Sequence, residues 1–273
     1  MKSIFLVFGL ALLVRFSAGA APLAESTFTE IINDVATVAA TGAASPAKVK
    51  EVLKAPQRVR TGPDSRAELV APDQTITRVG ANTIFSFADS GRTLNLEQGN
   101  LLFHAPKGIG GGTIKTAGAA AAVLGTTLIV SATADGGFKV ILLEGSGAVT
   151  LPNGTSATLH AGQLVFVLPG GTLSPVLNIN LGRLVAGSAL VNGFPDQLTS
   201  LSLINIAILQ QNKLFKSGEA TDTGLPPDVF IIPPFPGNGW NAIDHGAYQT
   251  RVPPPTPPLP PTQFPPNSFK GPP

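Results

Sequence analysis

Few residues in this chain have the types and spacing that chemistry requires. Its three histidines, His104, His160 and His245, stand far apart, and there is no cysteine. Thiol nucleophiles, disulfides, iron-sulfur clusters and Cys-type zinc sites are therefore ruled out, and a His-based metal site would have to recruit carboxylates from distant segments. Gly145-Ser146-Gly147 beside Glu144 is too short for a nucleophile elbow and reads as a turn. A Ser-His-Asp triad is recognised by geometry, and nothing in the spacing supports one here. Gly108-Ile109-Gly110-Gly111-Gly112-Thr113 has Thr113 where a dinucleotide fingerprint needs glycine. No Gly-Lys-Ser/Thr and no helix signal follow it, so it reads as a flexible connection between strands. The sixteen acidic residues could supply a glycosidase pair, but the aromatic platforms of sugar sites are missing from a central region without Trp or Tyr. Asn153-Gly154-Thr155 matches a glycosylation sequon, although its turn role explains it sufficiently. No catalytic, cofactor-binding or metal residue is assigned: the expectation is a non-enzyme without cofactors.

The elements around these residues are mostly extended. From Arg58 to Pro175, short apolar runs alternate with turn residues about every ten positions, the mark of an all-β sandwich, barrel or solenoid. Gly147 to Leu159 reads as a hairpin whose Asn153-Gly154 suits a type I′ turn. Leu128-Ile129-Val130, Asp135-Gly136-Gly137 and Phe138 to Leu143 read as another, and the nearly continuous apolar run of the last segment suggests a strand covered on both faces. Ile84 to Phe87 pairs by the same logic with Thr93 to Leu96. Glu97-Gln98-Gly99 then reads as a turn before Leu101-Leu102-Phe103, and Leu164 to Leu168 closes the series. Thr27 to Val38 favours a strand through its β-branched residues, and Ala39 to Ala47 would be a loop.

The flanks differ. Met1 to Ala20 has Lys2, an apolar run from Ile4 to Val14 and a small-x-small ending at Ala18-Gly19-Ala20, which reads as a signal peptide cleaved after Ala20. Arg15 interrupts that run after eleven residues, short of the roughly 20 that a membrane span needs. Beyond it, 16 basic residues balance 16 acidic ones, and charged residues are 12% of the chain. That is half the usual share of roughly 25%, so nucleic acid is not an expected partner. Near the other end, Leu201, Ile204, Ala207, Ile208 and Leu214 approach a helical period that stops at Gly218, predicting one short helix packed on the sheet. Residues 225–273 hold 16 of the 26 prolines and read as a disordered spacer or a ligand strip for an envelope partner.

Several ordered blocks then carry a resemblance. Arg60-Thr61-Gly62-Pro63-Asp64-Ser65-Arg66-Ala67-Glu68-Leu69, Asp73-Gln74-Thr75-Ile76-Thr77-Arg78-Val79-Gly80 and Asn82-Thr83 resemble the opening of the FecR periplasmic domain. Ile114-Lys115-Thr116, Val123 to Val130, Val140 to Gly145 and Ala161-Gly162-Gln163 resemble its later part, so the similarity runs over roughly residues 45 to 175. The resemblance implies a β-rich, non-catalytic envelope module, best known from sensors that relay an iron-siderophore receptor signal to a sigma factor. In those sensors a cytoplasmic sigma-binding segment and one membrane span precede the module. Here a leader precedes it, so the expectation is the envelope type lacking that segment.

The expected organisation is a signal peptide at 1–20, an N-terminal strand and linker at 21–44, and a FecR-like β domain at 45–180. An extension with a short helix follows at 181–224, and the proline-rich tail at 225–273. The fold class is mainly β, a sandwich or solenoid-like module. The expected role is an exported, periplasmic or secreted scaffold or interaction module, without a membrane span after leader cleavage, that binds an envelope protein or cell-wall polymer. The alternatives are a periplasmic component of sigma-related envelope signalling and a carbohydrate-acting enzyme.

Overall fold

The computed structural model describes residues 21–225 apart from Pro169; the expected signal peptide and the proline-rich tail from residue 226 onward lie outside the described residues. The chain begins with β1 (Glu25–Ile32), β2 (Val35–Val38), β3 (Ala44–Pro46), β4 (Val52–Lys54), β5 (Arg58–Thr61) and β6 (Arg66–Val70). Next come β7 (Ile76–Val79), β8 (Ile84–Phe87), β9 (Thr93–His104), β10 (Gly112–Lys115), β11 (Ala120–Val123) and β12 (Thr127–Ala132). The last strands are β13 (Phe138–Glu144), β14 (Ser146–Thr150), β15 (Ser156–His160), β16 (Gln163–Leu168), β17 (Thr172–Leu173) and β18 (Leu177–Asn178). Three helices end the described chain: α1 (Leu181–Gly187), α2 (Ala189–Asn192) and α3 (Leu201–Ser217).

These strands form a sandwich of two layers that share β9. The first layer runs β4-β1-β6-β7-β9-β12-β13-β16, with β17 and β18 on the far side of β16. The second runs β3-β2-β5-β8-β9-β10-β11-β14-β15 and is antiparallel except for β9 with β10. Alternate residues point inward, so Phe28, Leu69, Val79, Phe103, Val130, Val140 and Leu142 of one layer meet Val59, Phe85, Leu96, Ile114 and Val149 of the other in one core. Each such side chain contributes about 1.5–3 kcal/mol by leaving water. The N-terminal segment is part of this sheet system rather than a linker. β1 pairs with β4 and β6 in the first layer, and β3 extends the second layer beyond β2 where the sequence suggested a loop.

The outer face of the first layer is covered as well. Ile129 and Ile141 lie out of phase with the sandwich core and are buried, as are Leu184 and Leu190 of the helices; α3 packs on β13 and α2 on β9. This explains the continuous apolar run of β13, all seven residues of which are buried. Instead of one helix there are three. Asn180 caps α1 by accepting a hydrogen bond from the Arg183 amide at 2.9 Å, and Gly218 ends α3 with φ of 77°. Gln211 ties α3 down: its Nε2 donates to the Gly162 and Ile179 carbonyls at 3.1 and 2.8 Å, and its Oε1 accepts from the Leu181 amide at 2.9 Å. Among the described residues no helix is long and apolar enough to cross a membrane.

The turn at Asn153-Gly154 is not type I′. Gly154 has φ of 86° but Asn153 has no positive φ; the Gly154 amide donates to the Leu151 carbonyl and the Leu151 amide to the Thr155 carbonyl. Pro152 starts a type I turn that one left-handed residue closes, a three-residue hairpin loop. Ala71-Pro72-Asp73-Gln74-Thr75 repeats the pattern with Gln74 at φ of 68°. Asp73 and Asn153 play the same part, each accepting from the amide two residues on.

Candidate functional site

Two arginines absorb most of the buried charge. Arg78 is fully buried on the outer face of β7; its Nε donates to Glu68 Oε2 at 2.7 Å. Its Nη1 donates to the Leu190 and Val191 carbonyls and its Nη2 to that of Asp196, while the Phe194 ring lies 4.4 Å from its Cζ. The remaining Glu68 oxygen accepts from Thr29 at 2.8 Å. Arg78 thus fastens the sheet to α2 and to the segment leading into α3. Arg92 clamps one end of the sandwich, donating to Asp73 Oδ2, Thr75 Oγ1, the Gly111 carbonyl and the Ala21 carbonyl. Burial alone would raise the Asp73 carboxyl, but its hydrogen bonds with Thr75 and Arg92 outweigh this and hold it below the ordinary value. Gly111 therefore turns its carbonyl to a guanidinium, and the glycine-rich loop runs into strand β10 rather than a phosphate-binding helix.

His104 enters a buried polar cluster of side chains. Its Nδ1 lies 2.9 Å from Thr127 Oγ1, and that hydroxyl is 2.9 Å from Glu144 Oε1 and 2.8 Å from Ser200 Oγ. All four residues are buried, so serine, imidazole and carboxylate meet only through Thr127, at the foot of α3. Sequence spacing gave no sign of this meeting, because strand register and the helix layer bring the four together. His160 is exposed on the edge strand β15, and His245 lies outside the described residues. Among the described residues, no group of three or more His, Asp or Glu side chains comes together in a way that could hold a metal ion.

Burial lowers the His104 pKa and raises that of Glu144, where the hydrogen bonds of Thr127 and the charge of Lys107 oppose the shift without cancelling it. Between the ordinary Glu144 value of 4.5 and its raised folded value, the folded chain holds more protons than the unfolded one, so this group's contribution to stability falls as pH rises. The amide introduced by Glu144→Gln would accept the Thr127 hydrogen bond without titrating. Urea unfolding of Glu144→Gln and wild type from pH 4 to 7 is therefore expected to show the variant gaining stability relative to wild type as pH rises. A pH-independent difference would contradict the assignment.

Two of the concave regions among the described residues lie against the outer faces of the layers. A shallow groove of 680 Å³ crosses the outer face of the second layer, floored by small residues such as Gly112, Ala122, Ala148 and Thr158, with Leu124 at its rim 75% exposed. Beside it β15 pairs with β14 alone among the described strands, leaving a sheet edge. The other cavity, 550 Å³, lies between the first layer and the α1–α2 segment, near Asp64 and the start of β6 at Arg66.

Residues 57–146 match the family described as FecR protein. No curated protein matches the chain. Two crystal structures of a "putative anti-sigma factor" from Parabacteroides distasonis ATCC 8503 are similar to part of it. One, at 1.65 Å resolution, has 18% identity and a TM-score of 0.42 over 47% of this chain and 63% of that one. The other, at 2.50 Å, has 18% identity and a TM-score of 0.43 over 50% and 64%. This chain spans less than two thirds of the length of either.

Proposed function

We propose that this chain, which carries a FecR domain at residues 57–146, is a non-enzymatic binding module of the bacterial envelope that takes part in signalling related to sigma-factor regulation. The family match carries the reading. The geometry is compatible with binding: the buried carboxylates Glu68 and Glu144 are committed to internal partners, whereas the second layer keeps an open face and, among the described residues, an unpaired edge at β15. An extended segment of a protein partner would add to that edge through main-chain hydrogen bonds, with the neighbouring groove receiving alternate side chains. The helix layer closes the opposite face, so docking would be one-sided.

Deletion of the gene, followed by transcript profiling and complementation, tests the reading. The expected result is altered expression of genes under one alternative sigma factor. Wild type should restore it, and a chain carrying Thr158→Pro on β15, which removes an amide facing away from β14 and so blocks strand addition while sparing the β14 ladder, should not. Unchanged transcription would overturn the signalling role. Hydrolysis of a cell-wall polysaccharide by the purified chain, abolished by replacing an acidic pair, would overturn the non-enzymatic one.

A further inference from the structure

Among the described residues the two buried arginines are fully satisfied. Every guanidinium nitrogen of Arg78 and Arg92 donates a hydrogen bond. Arg66, half-buried at the start of β6, makes no ion pair among the described residues, and its Nε is the one buried side-chain nitrogen or oxygen among them without a hydrogen-bond partner. It lines the cavity beneath α1 and α2, where a Cβ added to Gly193 would come within 3.1 Å of that nitrogen. Arg183 of α1, exposed and likewise outside any ion pair among the described residues, lines the same cavity. Lys139 of β13, 4% exposed, is a third cationic lining residue, and Asp64 is the single carboxylate among them. The apolar lining comes from Ile129 and Ile141 of the sheet and Leu184 and Leu190 of the helices.

We infer that this cavity binds an organic carboxylate with an apolar body. Arginine presents a planar fork that matches a carboxylate, and two arginines, one from the sheet and one from α1 and both outside any ion pair among the described residues, attract an anion that the lone Asp64 does not neutralise. The apolar lining discriminates against a bare inorganic anion, because such an ion would bury the charge and leave the leucine and isoleucine surfaces unfilled. A volume of 550 Å³ suits a small molecule or the end of a peptide. The inference is independent of the signalling role, since it concerns the opposite face of the sandwich from β15.

Calorimetric titration of the full chain tests it with four probes. Octanoate represents a lipid-derived acid and N-acetyl-leucine a peptide carboxy terminus; octanol has the body without the charge, and inorganic phosphate the charge without the body. At least one carboxylate is expected to bind with Kd in the millimolar range or tighter, and octanol and phosphate about tenfold or more weaker. The tighter of the two carboxylates identifies the source. Arg183→Ala and Arg66→Gln are each expected to weaken the bound carboxylate about tenfold, and methyl resonances of Ile129 and Ile141 should shift on titration in the wild type. Should Arg66→Gln fail to fold, Arg183→Ala decides, since Arg183 is exposed. Absence of carboxylate binding, binding unaffected by Arg183→Ala, or phosphate binding as tightly as the carboxylates would overturn the inference.

Discussion

Replacing Arg78 by Met is expected to destabilise the folded chain by about 3–5 kcal/mol. The side chain is fully buried, and Glu68, its partner at 2.7 Å, is buried as well. Methionine fills much of the same volume but donates nothing. Glu68 would keep only Thr29, and the carbonyls of Leu190, Val191 and Asp196 would lose the donor that ties them to the sheet. Arg78→Lys should recover only part of the loss, because an ammonium on a flexible stem cannot reproduce the fork that spans a carboxylate and three carbonyls. Adding Glu68→Gln to Arg78→Met should restore stability relative to Arg78→Met alone, since the uncompensated buried charge is then gone. Urea unfolding followed by circular dichroism measures all of these. A loss below about 1 kcal/mol for Arg78→Met, the range of an exposed pair, would show that the helix layer does not depend on this residue. Amide exchange should speed first in α2, whose carbonyls Arg78 holds.

Much of the sandwich is readable from residue patterns, and the places where reading fails have definite causes. The hairpin of β12 and β13 stands out because Asp135-Gly136-Gly137 separates two apolar runs, and the unbroken run in β13 announces a strand buried on both faces. α3 is legible because its apolar positions repeat at helical spacing before Gly218. α1 and α2 are not, since seven and four residues are too short for a period to emerge and Gly182 and Gly187 lower the propensity. Arg78 looks like any outward charge on a half-buried strand, because what buries it lies more than a hundred residues later. Arg92 gives no local sign of its partners at Asp73 and Gly111. The cavity under α1 draws Arg66, Lys139 and Arg183 from three separate elements, a juxtaposition that only tertiary structure creates.

Gly99 shows the cost of reading composition as a turn. Glu97-Gln98-Gly99 has turn-like letters, yet the chain does not reverse there: β9 continues from Thr93 to His104, pairing with β8 before the glycine and with β7 and β12 beyond it. Gly99 is where the strand leaves one layer for the other, with φ of 95° and the Thr83 backbone pressed against it. A Cβ here would lie 2.4 Å from Thr83 Cα, and Thr83 cannot retreat: it is fully buried, its amide donates to Thr61 Oγ1, and its hydroxyl accepts from the Asn100 amide. Gly99→Ala is therefore expected to cost about 1–3 kcal/mol for the backbone conformation and about 1–3 kcal/mol more for overpacking. Gly91→Ala separates the two terms, because Gly91 also has positive φ, 71°, but nothing lies within 4 Å of its added Cβ. Urea unfolding should place Gly99→Ala below Gly91→Ala by at least about 1 kcal/mol, the lower bound of the overpacking cost. Equal losses would mean that Thr83 yields, and that the crossing of β9 between layers is held by its ladders rather than by the close approach at this glycine.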